Sequence, residues 1–148
     1  MGFETQSMAA GNVAESGPGE EPLRVLVVDD DPDSVNTLVT LLRNEGYETR
    51  GRRSGQAAVD TLRGFKPDVV ISDLAMPRVN GWTLAQEVRR RMGKDALLIA
   101  VSGQYTKSAD EALSQTSGFD HHLTKPADPK VLLQLIEDRK SARRGPNN

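Results

Sequence analysis

Short apolar runs and amphipathic segments alternate five times along this chain, a pattern that few folds accept. Val25 to Val28 is a continuous apolar run, as a strand buried on both faces would be. A helix follows, with Asp31 as N-cap, Pro32 at the first position, Val35, Leu38, Val39 and Leu42 on one face, and Gly46 as the stop. Tyr47 to Arg52 is a weaker, more polar strand suited to a sheet edge. Ser54 opens a short helix carrying Ala58, Val59 and Leu62, closed by Gly64. Val69 to Ser72 is apolar again. Beyond a Pro and Gly loop, Trp82 to Met92 is helical, with Leu84, Ala85, Val88 and Met92 inward. Ala96 to Val101 is the next buried strand. Ser108 and Glu111 form a capping box for a helix to about Gln115. Phe119 to Thr124 is the last strand, and Asp128-Pro129 starts a helix with Leu132, Leu135 and Ile136 inward.

Strands and helices in strict alternation predict an α/β fold, a parallel sheet with helices on both faces and right-handed crossovers. The first 22 residues hold four acids (Glu4, Glu15, Glu20, Glu21), no basic residue and no apolar period, the composition of a disordered tail. Residues 141–148 read as a frayed, basic end, so the domain is expected over 23–140. The formal charge of −2 resides in the first tail: the remainder has 19 basic and 17 acidic residues, no signature of a nucleic-acid binder. The longest apolar run has six residues, far short of a membrane span. The absence of cysteine removes disulfides, thiol catalysis and thiolate metal sites, and favours the cytoplasm.

In open α/β sheets ligands sit beyond the carboxyl ends of the strands. Here those ends are Asp29-Asp30, Asp73, Ser102 and Lys125, so three carboxylates, a hydroxyl and an ammonium are expected to converge. Crowded carboxylates raise one another's pKa unless a cation sits among them. Oxygen ligands without Cys or His suit Mg²⁺, which keeps waters and phosphate oxygens. His121 and His122, adjacent in a strand, point to opposite faces and could hardly share an ion. A carboxylate can itself attack phosphorus, and a lysine and a hydroxyl would hold phosphoryl oxygens. The chemistry implied is phosphoryl transfer onto an aspartate.

Four segments carry a family resemblance. They are Val25-Leu-Val-Val-Asp-Asp-Asp-Pro32, Pro67-Asp-Val-Val-Ile-Ser-Asp73-Leu-Ala-Met-Pro77 followed by Gly81, Val101-Ser-Gly103, and Leu123-Thr-Lys-Pro126. Together they resemble the receiver domain of two-component response regulators, across residues 23–140. The resemblance implies a five-stranded sheet of order 2-1-3-4-5. It implies Asp73 as phosphoacceptor and Asp29 and Asp30 as the acidic pair. Asp30, Asp73 and the Ala75 backbone carbonyl would ligate Mg²⁺, with Asp29 acting through water. Ser102 takes the switch-hydroxyl position, Gly103 leaves room for the phosphoryl group, Lys125 is the motif lysine, and Pro126 follows a cis peptide. His122 stands where the family usually has an aromatic switch residue, and its imidazole could make output pH-sensitive. Ala75 and Gln104 occupy the positions that tune phosphoryl lifetime. Ala75 has no group to orient water, which implies slow autodephosphorylation.

Singly, these residues have plainer readings: Asp31 as a helix cap, Ser102 as a turn serine, Lys125 as an exposed lysine before proline. Arg89-Arg90-Arg91 reads as a solvated helix face, and Trp82 as mainly structural. A flavodoxin-like carrier would need a first loop rich in hydroxyls and glycine, where this chain has three aspartates. A nicotinamide domain would need Gly-x-Gly-x-x-Gly. An aspartate-nucleophile phosphatase would need an acid where Ala75 stands. The resemblance therefore implies a single-domain regulator, not an enzyme with a separate substrate. Its donor would be a histidine kinase or histidine phosphotransfer protein, meeting the first helix and the Pro126 loop. Its output would be contact with a downstream protein through the face of helix 108–115, the fifth strand and the last helix. The alternative is a receiver-like interaction module whose output is independent of phosphorylation.

Overall fold

Alternate residues of a buried strand face opposite sides of the sheet, so an unbroken apolar run must feed two cores. In the computed structural model, which describes residues 21–76, 79–103 and 118–144, it does so. Val25, Val27, Val69, Ile71, Leu97, Ile99 and Val101 meet Val35, Val39, Leu42, Leu132 and Ile136 on one face. Leu26, Val28, Val70, Leu98 and Ala100 meet Ala58, Leu62, Leu84, Ala85 and Val88 on the other.

The elements, in chain order, are β1 (Arg24–Val28), α1 (Pro32–Asn44), β2 (Glu48–Arg52), α2 (Gly55–Thr61), β3 (Val69–Asp73), α3 (Gly81–Met92), a 3₁₀ turn (Gly93–Asp95), β4 (Leu97–Ser102), β5 (His121–Thr124) and α4 (Pro129–Arg144). The five strands lie in the order β2-β1-β3-β4-β5, every neighbouring pair parallel, as the resemblance implies. From β1 the chain moves to β2 on one side and later returns to β3 on the other. The switch point, where a ligand cleft opens in such sheets, is therefore at the carboxyl ends of β1 and β3.

The predicted caps form. Asp31 accepts from the Asp33 N–H, Ser54 from the Ala57 N–H, and Asp128 from the Lys130 N–H at 2.9 Å. Asn80, absent from the sequence reading, caps α3 through the Thr83 N–H. The expected strands began at Tyr47 and Phe119, but the observed β2 and β5 start later, at Glu48 and His121; Tyr47 and Phe119 are both buried in the core. The last helix continues to Arg144, past residue 140. The helix expected near Ser108, the loop proline Pro77, Gln104 and residues 1–20 of the expected tail lie outside the described residues.

One expectation is corrected. Arg90 and Arg91 pair with Glu87 on the surface, but Arg89 does not belong to a solvated face. Its side chain is 19% exposed and its guanidinium bonds to Gly93, Ala96, Gly118 and Asp120. Three consecutive arginines span about 200° of helix, and Arg89, at one end of that arc, borders the stripe of Leu84, Ala85 and Val88.

Candidate functional site

The register levels the acidic residues. Val28 is paired with Ser72, so Asp29, one residue on, stands beside Asp73, which in turn is paired with Val101. Both carboxylates extend the strand face that packs under α1 and α4, and both are 7% exposed. Asp30 is exposed. Carboxylate oxygens of Asp29, Asp30 and Asp73 lie within 4.8 Å of one another, a set able to hold a metal ion.

Lys125 arrives from the end of β5. Its Nζ donates to Asp29 Oδ2 at 2.9 Å and to Asp73 Oδ2 at 3.3 Å. The Asp31 N–H donates to Asp29 Oδ1 at 3.0 Å, and the Ala75 N–H to Asp73 Oδ1 at 3.2 Å. Burial pushes the Asp73 carboxyl above its ordinary value, while Lys125 and the Ala75 N–H pull it back. Burial also opposes the Lys125 charge, but the contacts with Asp29 and Asp73 win and hold the ammonium above its ordinary value. Two carboxylates stabilise the one ammonium, whereas Asp73 has the one ammonium to set against its burial.

Ser102, the buried last residue of β4, is one register step beyond Val101 and pairs with Thr124; its carbonyl accepts from the Lys125 N–H at 2.9 Å. The next peptide bond, Lys125-Pro126, is cis. A Cβ on Gly103 would lie 3.7 Å from Lys125 Cβ, so Gly103 leaves space beside the lysine without being forced by packing. His122 is half-buried in β5, its Nδ1 buried, and His121 is exposed. Trp82 packs partly against the α2/α3 core. Ala75 is exposed, with its N–H on Asp73.

Two features of the site escaped the sequence reading. The first residue of α3 presses on β3: a Cβ on Gly81 would lie 2.4 Å from the Asp73 carbonyl oxygen. The quoted motif contained Gly81, but only the packing gives its reason. A cavity of about 600 Å³ also opens from the acids between α1 and α4, lined by Leu38, Leu41, Val101, Ala127, Pro129 and Leu132 among others. Helix periodicity finds apolar faces but not where two of them part.

The donor set tests the implied metal. Three carboxylates, two buried and one open to water, without His or Cys, suit a hard cation that retains water, as Mg²⁺ does. A buried carboxylate flanked by such a site and by a lysine is equipped to receive a phosphoryl group.

Comparison with known proteins bears on the family and the fold. The response regulator receiver domain matches residues 25–137. The DNA-binding response regulator MtrA of Mycolicibacterium smegmatis is 34% identical over 116 residues, 78% of this chain and 50% of MtrA. The chain thus spans about half the length of the MtrA regulators it matches. Protein PilH of Pseudomonas aeruginosa is 29% identical over 113 residues, 76% of this chain and 93% of PilH. The crystal structure of a CheY-like receiver domain protein from Methanospirillum hungatei superposes with a TM-score of 0.77 at 22% identity, covering 84% of this chain and 98% of that one, a likeness of fold. With the profile spanning most of the chain and the sheet in receiver order, this chain belongs to the response regulator receiver domain family.

Proposed function

We propose that the chain accepts a phosphoryl group on Asp73 from a phosphohistidine of a histidine kinase or phosphotransfer protein. The observation that carries this reading is Lys125 Nζ lying between Asp29 and Asp73, with Asp30 within metal-sharing distance. An Asp73 carboxylate oxygen attacks phosphorus, the phosphorus–nitrogen bond breaks, and the donor imidazole leaves with the electron pair. Lys125 then holds a phosphoryl oxygen by a charge-assisted hydrogen bond, and Ser102 supplies the switch hydroxyl. Asp29, Asp30 and Asp73, with the Ala75 carbonyl, would hold Mg²⁺, which when bound offsets charge on the phosphoryl oxygens. The chain promotes its own modification and has no separate substrate.

The donor would meet the exposed side of α1 and the Pro126 loop, which border the cavity beside the acids. The phosphate changes local charge and shifts a two-state equilibrium of the surface that includes β5 and α4, read by a downstream protein. His122, at the usual aromatic switch position, would couple the two. Such a donor works in the cytoplasm, where this reading puts the chain; among the described residues no helix is long and apolar enough to cross a membrane.

The test is to incubate the protein with Mg²⁺ and acetyl phosphate and follow intact mass. One added phosphoryl group is expected in wild type and none in Asp73→Asn. No gain in wild type, or an equal gain in Asp73→Asn, would reject the mechanism and favour a receiver-like interaction module independent of phosphorylation.

A further inference from the structure

Arg89 has no part in the chemistry above, yet all five of its N–H donors are used. Nε and one terminal nitrogen donate to the Gly118 carbonyl at 3.0 and 2.6 Å, and that same terminal nitrogen reaches Asp120 Oδ2 at 2.7 Å. The other donates to the Gly93 and Ala96 carbonyls at 2.8 and 2.6 Å. A guanidinium is a rigid fork, so satisfying it fully fixes the groups around it. Gly118 has φ +97, and a Cβ there would lie 2.9 Å from Arg89 Cγ, so the residue must be glycine for both backbone and side-chain reasons. Asp120 is in turn tied to β4: its carboxylate accepts from the Leu98 N–H at 2.8 Å, and its own N–H donates to the Leu98 carbonyl at 2.8 Å.

This clamp grips the residues that lead into β5. The strand needs an anchor, since it is an edge strand of four residues, none fully buried and only His122 and Leu123 half-buried, and among the described residues it pairs in the sheet only with β4. Burial normally specifies register, and a strand with little of it is prone to slip. The far end of the same strand delivers Lys125. A slip of one residue would carry Lys125 about 3.3 Å along the sheet and turn it to the opposite face.

We propose that Arg89, through Gly118 and Asp120, pins the register of β5 and so holds Lys125 against Asp73, making Arg89 a positioning residue for phosphoryl transfer. This rests on the reading that Lys125 serves the phosphoryl group.

The experiment compares wild type, Arg89→Met, Lys125→Met and the double variant. It measures phosphoryl gain from acetyl phosphate at saturating Mg²⁺, Mg²⁺ affinity by Trp82 fluorescence, and hydrogen exchange of the Lys125 amide. Arg89→Met is expected to slow phosphoryl gain about tenfold and to leave Mg²⁺ affinity within about twofold, because the carboxylate ligands come from β1 and β3. It should cause no further slowing in the Lys125→Met background, whereas a merely structural role would add to it. An unchanged rate in Arg89→Met, or additive losses in the double variant, would overturn the proposal. The Lys125 amide, bonded to the Ser102 carbonyl, should exchange faster in Arg89→Met. Exchange needs no phosphorylation: if wild type gains no phosphoryl group the function reading fails, while unchanged exchange refutes the register inference separately. Arg89→Lys, which keeps the charge but not the fork, gives the same comparisons should Arg89→Met not fold.

Discussion

Replacing Gly81 by alanine tests whether α3 is seated directly on β3. The added methyl would lie 2.4 Å from the Asp73 carbonyl oxygen and 2.9 Å from Leu74 Cα, where contacts under 3.0 Å essentially never occur. Both atoms are backbone, held by β3 pairing and by the Gly81 N–H bond to the Leu74 carbonyl at 3.1 Å, so neither can swing aside like a side-chain tip. Overpacking of this kind costs about 1–3 kcal/mol, and straining the Gly81 hydrogen bond adds about 1 kcal/mol. The helix propensity of alanine returns up to about 1 kcal/mol, less at a first helical position, so the clash wins and the net loss is roughly 1–3 kcal/mol. Gly64→Ala is the internal control: no heavy atom lies within 4 Å of its Cβ, and it is not among the glycines with positive φ. There the change should be neutral or stabilising by up to about 1 kcal/mol, through the unfolded chain. Urea unfolding of the two variants measures both. In the same samples Gly81→Ala should take up phosphate from acetyl phosphate more slowly, because relief of the clash moves Asp73 or the loop after it. If Gly81→Ala proved as stable as Gly64→Ala, the seating of α3 on β3 would be refuted.

Burial raises the Asp73 pKa, so the folded state binds its proton more tightly than the unfolded chain, and stability falls as pH rises from the ordinary value of 3.8 through the folded one. Without metal, Asp73→Asn should be more stable than wild type at neutral pH and lose that advantage near about pH 3; urea midpoints across pH decide, and a pH-independent difference contradicts the assignment. Tyr47, 6% exposed, donates its O–H to Glu137 on α4, and burial and that carboxylate hold the phenol above its ordinary value. Tyr47→Phe should cost about 1 kcal/mol, with the difference shrinking above about pH 10 as the phenol of the unfolded chain ionises; equal stability at pH 7 would deny the bond its role. Ala75→Asn should shorten phosphoryl lifetime by supplying an amide to orient water, followed as loss of the added mass after the donor is removed; a longer-lived phosphoryl group in Ala75→Asn would contradict this.

Most of the fold was legible because the three central strands, β1, β3 and β4, are nearly apolar on both faces and the described helices are apolar on one. Val25-Leu-Val-Val28 could only lie between two layers, and Pro32 after Asp31 could hardly be other than a helix start. The acids were legible for the same reason: a buried strand that ends in aspartate has to place it at the sheet edge. Arg89 was not legible, because adjacent arginines look alike until a helix phase and an acceptor are supplied. Four of its five hydrogen bonds go to carbonyls at Gly93, Ala96 and Gly118, which carry no side-chain signal; the fifth goes to the Asp120 carboxylate.

The sequence by itself determined the layer order, the two cores and the set of groups gathered at one edge, because periodicity and strand ends are local properties. Only the tertiary structure decided that Lys125 lies between Asp29 and Asp73 and not elsewhere along that edge, that Gly81 is pressed on β3, and that Arg89 grips the entrance to β5. Each depends on register and on distances between residues far apart in the chain, and these are fixed when the two faces pack together.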